Sequence, residues 1–209
     1  MEQTLEVYKR AYDPRFPVVC MDEMPKQLLA HGTDPIAMRP GHSRKQDYEY
    51  VRNGTCTIWV FVEPLGGWRR TNGTERRTCV DWAQQVKALV DDPRYEQAER
   101  ITLVCDNLSS HTFSALYQAF SPPEALRILK KLEMVHTPKH GSWLNIAEIE
   151  LSVLSRQCTR GRIMSLREVD HAVRVWCAAR NEKQVGVDWQ FRTEDARVKL
   201  KRLYPLLKM

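Results

Sequence analysis

The chain has 209 residues, 43% of them hydrophobic and 28% charged, a length and balance that fit one domain around one continuous core. Mean hydropathy is −0.50, no apolar run approaches the ~18–20 residues that cross a bilayer, and Met1-Glu2-Gln3-Thr4-Leu5-Glu6 lacks the basic and apolar stretches of a signal peptide. A membrane or secreted protein is therefore not expected. Thirty-two basic against 26 acidic residues give a net charge of +6, which permits binding to a polyanion without demanding it.

The first strand signal is Phe16 to Met21, F-P-V-V-C-M, ending at Asp22-Glu23. Gly32 to Ser43 reads as a loop. Tyr48 to Arg52 and Thr55 to Val62 are β-rich runs joined by Asn53-Gly54, which predicts a tight hairpin. After a turn at Pro64 to Gly67, Trp68 to Arg77 completes three antiparallel strands. From Thr78 to Asp91 the apolar spacing becomes helical. Ile101 to Cys105 is a short, wholly apolar strand of the kind buried on both faces of a sheet. Helical signal returns at Ser114 to Phe120 and Pro123 to Leu132, a strand follows at Glu133 to Thr137, and Pro138 to Trp143 is a loop. Helices are predicted over about Asn145 to Thr159, from the capping box Ser165-x-x-Glu168 to about Asn181, and over the basic stretch Thr193 to Leu203. Three antiparallel strands followed by alternating helix and strand imply one mixed α/β sheet flanked by helices.

Six cysteines never form a Cys-x-x-Cys pair, and no cysteines or histidines have zinc-ligand spacing. Cys20, Cys56 and Cys105 lie in apolar runs, where a thiol acts as a small hydrophobe, so reduced cysteines are expected.

Three acids stand out by position. Asp22 and Asp106 follow the first strand and the buried strand, and Glu148 opens a helix. If those two strands are neighbours, their ends bring the aspartates together in the crevice where open α/β sheets place their sites. Clustered carboxylates repel unless divalent cations neutralise them, and Mg²⁺ takes such ligands. Bland alternatives exist. Asp106-Asn107 also reads as a turn pair, and Asn145-Ile146-Ala147-Glu148 as a capping box holding the Glu148 carboxylate on a backbone amide.

The local sequences V-V-C-M-D-E (Val18 to Glu23), L-V-C-D-N-L-S-S-H-T (Leu103 to Thr112) and T-P-K-H-G-S-W-L-N-I-A-E-I-E (Thr137 to Glu150) together resemble the mariner-like superfamily of DDE transposases, most closely its bacterial insertion-sequence branch. The closing stretch Trp189 to Pro205 is similar to the end of those proteins, so the resemblance spans essentially the whole chain. It implies a ribonuclease-H-like fold, and a catalytic and metal-binding triad of Asp22, Asp106 and Glu148 holding two Mg²⁺ ions, for which Mn²⁺ substitutes. The family's Leu-Asn-x-x-Glu pattern selects Glu148 over Glu150, which points about 200° away on the same helix. The implied chemistry is hydrolysis at a mobile element's ends, then attack of a freed 3′-hydroxyl on target DNA. The partners implied are transposon-end and target DNA and a homodimer or larger assembly, and the setting is the bacterial cytoplasm at the nucleoid. A ribonuclease-H-like nuclease without strand transfer and a domesticated DNA-binding remnant are the rival readings. Relatives carry helix-turn-helix modules ahead of the first aspartate, whereas 21 residues precede Asp22. Residues 1–209 are thus expected to be a single catalytic domain, as a split-frame product or a fragment.

Around the triad, His111 is expected either to orient a carboxylate from behind or to serve as a loop residue with a local hydrogen bond. Asn107 is expected in the turn or at substrate, Lys139 and His140 near the scissile phosphate, and Trp143 either stacked on a base or clamping the helix start. Arg69-Arg70, Arg76-Arg77 and the cations of the last helix read as solvated faces, some of which would track a DNA backbone. Trp59, Trp82 and Trp176 read as core.

Overall fold

A computed structural model describes residues 1–139 and 141–204. His140, and with it that sequence expectation, lies outside the described residues, as does the end of the Trp189 to Pro205 motif. The elements in chain order are α1 (Glu2–Tyr8), β1 (Val18–His31), β2 (Tyr50–Glu63), β3 (Trp68–Thr74), α2 (Cys79–Val90), β4 (Ile101–Cys105), α3 (Phe113–Ala119), α4 (Pro122–Lys130), β5 (Leu132–His136), α5 (Ala147–Gln157), α6 (Leu166–Glu182) and α7 (Thr193–Lys199).

The five strands form one sheet in the order β3-β2-β1-β4-β5. β1, β2 and β3 pair antiparallel, while β4 and β5 run parallel to β1. The expected mixed α/β sheet is therefore the one observed. β4 is buried throughout because it sits between two strands with helices over both faces.

Strand alternation sorts the core into two layers. Val19 and Met21 of β1, Trp59 and Phe61 of β2 and Leu103 of β4 pack with Trp82, Val86 and Leu89 of α2, Leu116 of α3 and Ile128 of α4. On the other face, Cys20, Val62 and Val104 pack with Val7 of α1 and Ala147 of α5. Farther along that face, Ile58 and Val60 meet Leu151 and Leu154 of α5 and Val169 and Val173 of α6.

Two sequence expectations are corrected. Asn53-Gly54 is not a hairpin turn. It lies within β2 opposite a break in register, where Gln27 pairs with Thr55 but Leu29 pairs with Arg52. Two residues thus oppose Leu28 alone, and the left-handed Gly54 (φ +91°) supplies the backbone that such a bulge requires. The connection from β1 to β2 is instead the stretch 32–49. Secondly, β1 does not end before Asp22 but runs nine residues beyond it to His31, paired with β2 almost throughout. The helix α1 gave no periodic signal in so short a stretch; it buries Leu5 and Val7.

Candidate active site

Asp22 sits within β1, opposite Val60 of β2, where the pairing of β1 with β4 has just ended. That parallel pairing sets Val18 against Thr102 and Cys20 against Val104. Carried two residues further, the same register brings Asp22 level with Asp106, the residue after β4. Alternation puts Asp22 on the face of Cys20, the face covered by α5. Glu148 lies in the first turn of α5, half-exposed.

The three acids feel one another. Burial pushes the Asp22 carboxyl up to about 7, against the Glu23 amide that donates to it, and the charges of Asp106, Glu23 and Glu148 add to the rise. The Asp22 Oδ1 accepts that amide at 2.8 Å. Asp106 Oδ1 is buried without a hydrogen-bond partner.

His111 lies in the loop before α3, where its backbone amide donates to the Leu108 carbonyl at 3.0 Å, and its side chain is buried, 1% exposed. Its Nδ1 lies 2.6 Å from Asp106 Oδ1 and its Nε2 3.4 Å from Glu23 Oε2. These are ion-pair distances without aligned hydrogen-bond geometry. The ring stacks on Trp82 of α2, centroids 5.6 Å apart. Burial opposes a charge on this imidazole, but Asp106, Cys105 and Glu23 outweigh it and hold its pKa up at about 11. Glu23 points to the α2 side of the sheet and Asp22 to the α5 side, so neighbouring residues of one strand approach Asp106 from opposite faces.

Asn145 joins the two elements that carry Asp22 and Glu148. Its Nδ2 donates to the Met21 carbonyl at 2.8 Å, and its Oδ1 accepts from the Ala147 amide at 3.2 Å. It is fully buried. The capping box considered for this stretch does not form. The residue before α5 is Ile146, which makes no side-chain cap, and no side-chain hydrogen bond of Glu148 occurs among the described residues, which leaves its carboxylate available.

Residues 17–170 match the family described as the DDE superfamily endonucleases. The chain belongs to that family. No curated protein sequence matches it. The fold of this DDE endonuclease chain is similar to solved structures of the Mos1 mariner paired end complex with Mn (20% identity, TM-score 0.55), the Mos1 strand transfer complex (18%, 0.56) and the Mos1 transposase paired-end complex with the left transposon end (17%, 0.55). Each likeness covers 88% of this chain but only 55–56% of the other, so the chain spans a little over half the length of those proteins. At these identities the likeness is one of fold, a ribonuclease-H-like sheet with flanking helices.

The donor chemistry of the endonuclease site suits a divalent cation: hard carboxylate oxygens, one of them buried without a partner, and an aspartate whose ionisation its neighbours oppose. As placed, no three His, Cys, Asp or Glu side chains among the described residues close to ligand distance. Asp106 is turned to His111 and Asp22 to its neighbouring amide.

The outer residues divide. Asn107 and Lys139 are exposed, and no side-chain hydrogen bond of either occurs among the described residues. Trp143 is 43% exposed, with its ring edge-to-face on Phe191, ahead of α7, at 5.8 Å. Arg69 is corrected: it is not a solvated cation but a buried one, paired with Glu150. Its position in an exposed-looking Arg-Arg pair hid this, because the partner lies 81 residues away. Trp59 and Trp82 are core, while Trp176 is partly buried and donates to Gln157. No helix of the described residues is long and apolar enough to cross a membrane.

Proposed function

We propose that this DDE endonuclease chain is the catalytic domain of a transposase, cutting DNA strands at a mobile element's ends and joining a freed 3′-hydroxyl to target DNA. The observation that supports the reading is that the charges of Asp106 and Glu148 both act on the buried Asp22 carboxyl, at the end of the parallel pairing of β1 with β4. Asp22 and Asp106 would hold the two Mg²⁺ ions, or Mn²⁺ in their place, and Glu148 would complete the ligand shell of the second ion. Such ions supply a deprotonated water at neutral pH and charge stabilisation on the attacking and leaving oxygens of a phosphodiester. His111 would hold the Asp106 carboxylate from behind, and Asn145 the spacing between β1 and α5. Lys139 and Asn107 would meet the DNA backbone from the rim. DNA is the partner, on which a homodimer or larger assembly would form, with helix-turn-helix recognition of the ends supplied outside residues 1–209.

The test is nicking of supercoiled plasmid by the purified protein with EDTA, Mg²⁺ or Mn²⁺, followed by joining of a labelled 3′-hydroxyl end to plasmid. Metal-dependent nicking and joining, both reduced at least ~10³-fold in Asp106→Asn and Glu148→Gln, is the expected result, on the scale of losing a group that stabilises the transition state. Nicking without joining would assign a ribonuclease-H-like nuclease instead. Nicking that survives both substitutions would sink the triad.

A further inference from the structure

Helix α5 carries acids on opposite sides. Glu148 is half-exposed towards Asp22, whereas Glu150, about 200° round the helix, is 1% exposed and takes no part in the acidic cluster. Two guanidinium groups grip the Glu150 carboxylate, each by two bonds. Arg69 of β3 donates from Nε to Oε2 at 3.0 Å and from Nη2 to Oε1 at 3.1 Å. Arg180 of α6 donates from Nε to Oε2 at 3.1 Å and from Nη2 to Oε1 at 2.9 Å. Arg69 is itself pinned: its side chain donates to the Gly67 and Val185 carbonyls, and Asn181 bonds both its backbone amide and its carbonyl. Arg180 lies over the Trp176 ring at 5.2 Å.

Three charges buried at one point are a poor way to gain stability, since apolar side chains of similar volume often do as well or better. What planar forks provide is direction. A carboxylate held by two of them fixes both the height and the roll of its helix. The roll matters on the far side. A carboxylate at the helix surface, roughly 5–6 Å from the axis, moves about 2 Å when the helix turns by about 20°. Metal ligation tolerates only about ±0.2 Å.

We propose that Glu150, clamped by Arg69 and Arg180, is the positioning residue that sets the roll of α5 and so aims Glu148 at Asp22 and Asp106. The inference rests on the triad reading, and its test separates the two. Mn²⁺ binding to the purified full chain is titrated by electron paramagnetic resonance, with thermal unfolding measured on the same samples. The decisive variant is Arg69→Met/Glu150→Leu/Arg180→Met, which replaces the network by apolar volume. The expected result is cooperative unfolding near the wild-type temperature but Mn²⁺ bound about tenfold more weakly, the low end of what loss of outer support costs a metal site. A purely structural network would move the unfolding temperature and leave the affinity of the folded protein alone. A folded triple variant that binds within twofold of wild type therefore overturns the proposal. Should the triple variant not unfold cooperatively, Arg180→Met, which leaves the Arg69 fork in place, decides on the same reading: several-fold weaker binding supports the proposal and binding within twofold overturns it. A wild type that binds no Mn²⁺, or a Glu148→Gln variant that binds as tightly as wild type, overturns the triad reading and this inference with it.

Discussion

On the proposed triad, a proton and a metal would compete for the Asp22 carboxylate. Burial first, and then Asp106, Glu23 and Glu148, hold its pKa up at about 7, and a metal ligand must be deprotonated to bind. Mn²⁺ affinity measured at pH 6 should thus be about tenfold weaker than at pH 8; equal affinities would remove Asp22 from the ligand set. Asn145 makes a different kind of contribution. Truncation to alanine strips partners from the buried Met21 carbonyl and Ala147 amide, which should cost about 1–3 kcal/mol by urea denaturation. Position and motif single out the three acids in the sequence, and the structure brings the charges of Asp106 and Glu148 to bear on Asp22. His111 was visible as a candidate, but its burial against Trp82 was not, because nothing in the local sequence says that α2 folds over the end of β4. Asn145 reads as a helix cap, but Ile146 occupies the cap position and the Asn145 side chain bonds the Ala147 amide and the Met21 carbonyl. The bond to Met21 spans 124 residues and has no local signature.

Elements were more readable than their ends. β4, β5 and the helices from α2 to α6 fall within about two residues of where hydrophobic period and capping residues place them, while α7 ends at Lys199, short of Leu203, and packs on α1. The errors sit where tertiary pairing overrides a local signal. Asn53-Gly54 carries strong turn chemistry, yet the long antiparallel pairing of β1 with β2 absorbs it as a bulge. Asp22-Glu23 looked like a strand end because charged residues break an apolar run, while the backbone simply continues. The two left-handed glycines of β2 and its turn give a graded test. Gly54 (φ +91°) has open space around it, so Gly54→Ala should cost about 1–2 kcal/mol for the conformation alone. Gly67 (φ +62°) would bring a Cβ within 2.5 Å of the Gln184 carbonyl, so Gly67→Ala should cost clearly more, with both read from urea midpoints. Equal costs would mean that the turn yields freely against the end of α6.

For the whole molecule, the same buried groups fix how stability follows pH. A carboxyl whose folded pKa is raised, as at Asp22, favours the folded state at low pH, and that advantage is lost as pH rises through about 7. His111, held up at about 11, keeps its contribution below its ordinary pKa and loses it as pH rises towards that value, in the same direction. Glu2 and Glu124, lowered to about 2, are ionised well below this range and add no slope. The metal-free protein should therefore melt at lower temperature at pH 8 than at pH 5.5, and Mn²⁺ should raise the melting temperature more at pH 8. A flat or rising profile in EDTA would show that the acids are better solvated than their burial implies.

The pairing of Val18 with Thr102 has a consequence for the order of events as the chain is made. Val18 and its partner Thr102 are 84 positions apart in sequence, and the helix bearing Glu148 follows later still. Contacts so distant in sequence form late in folding. Asp22 therefore gains the acidic neighbours that raise its pKa only once the chain as far as α5 has folded.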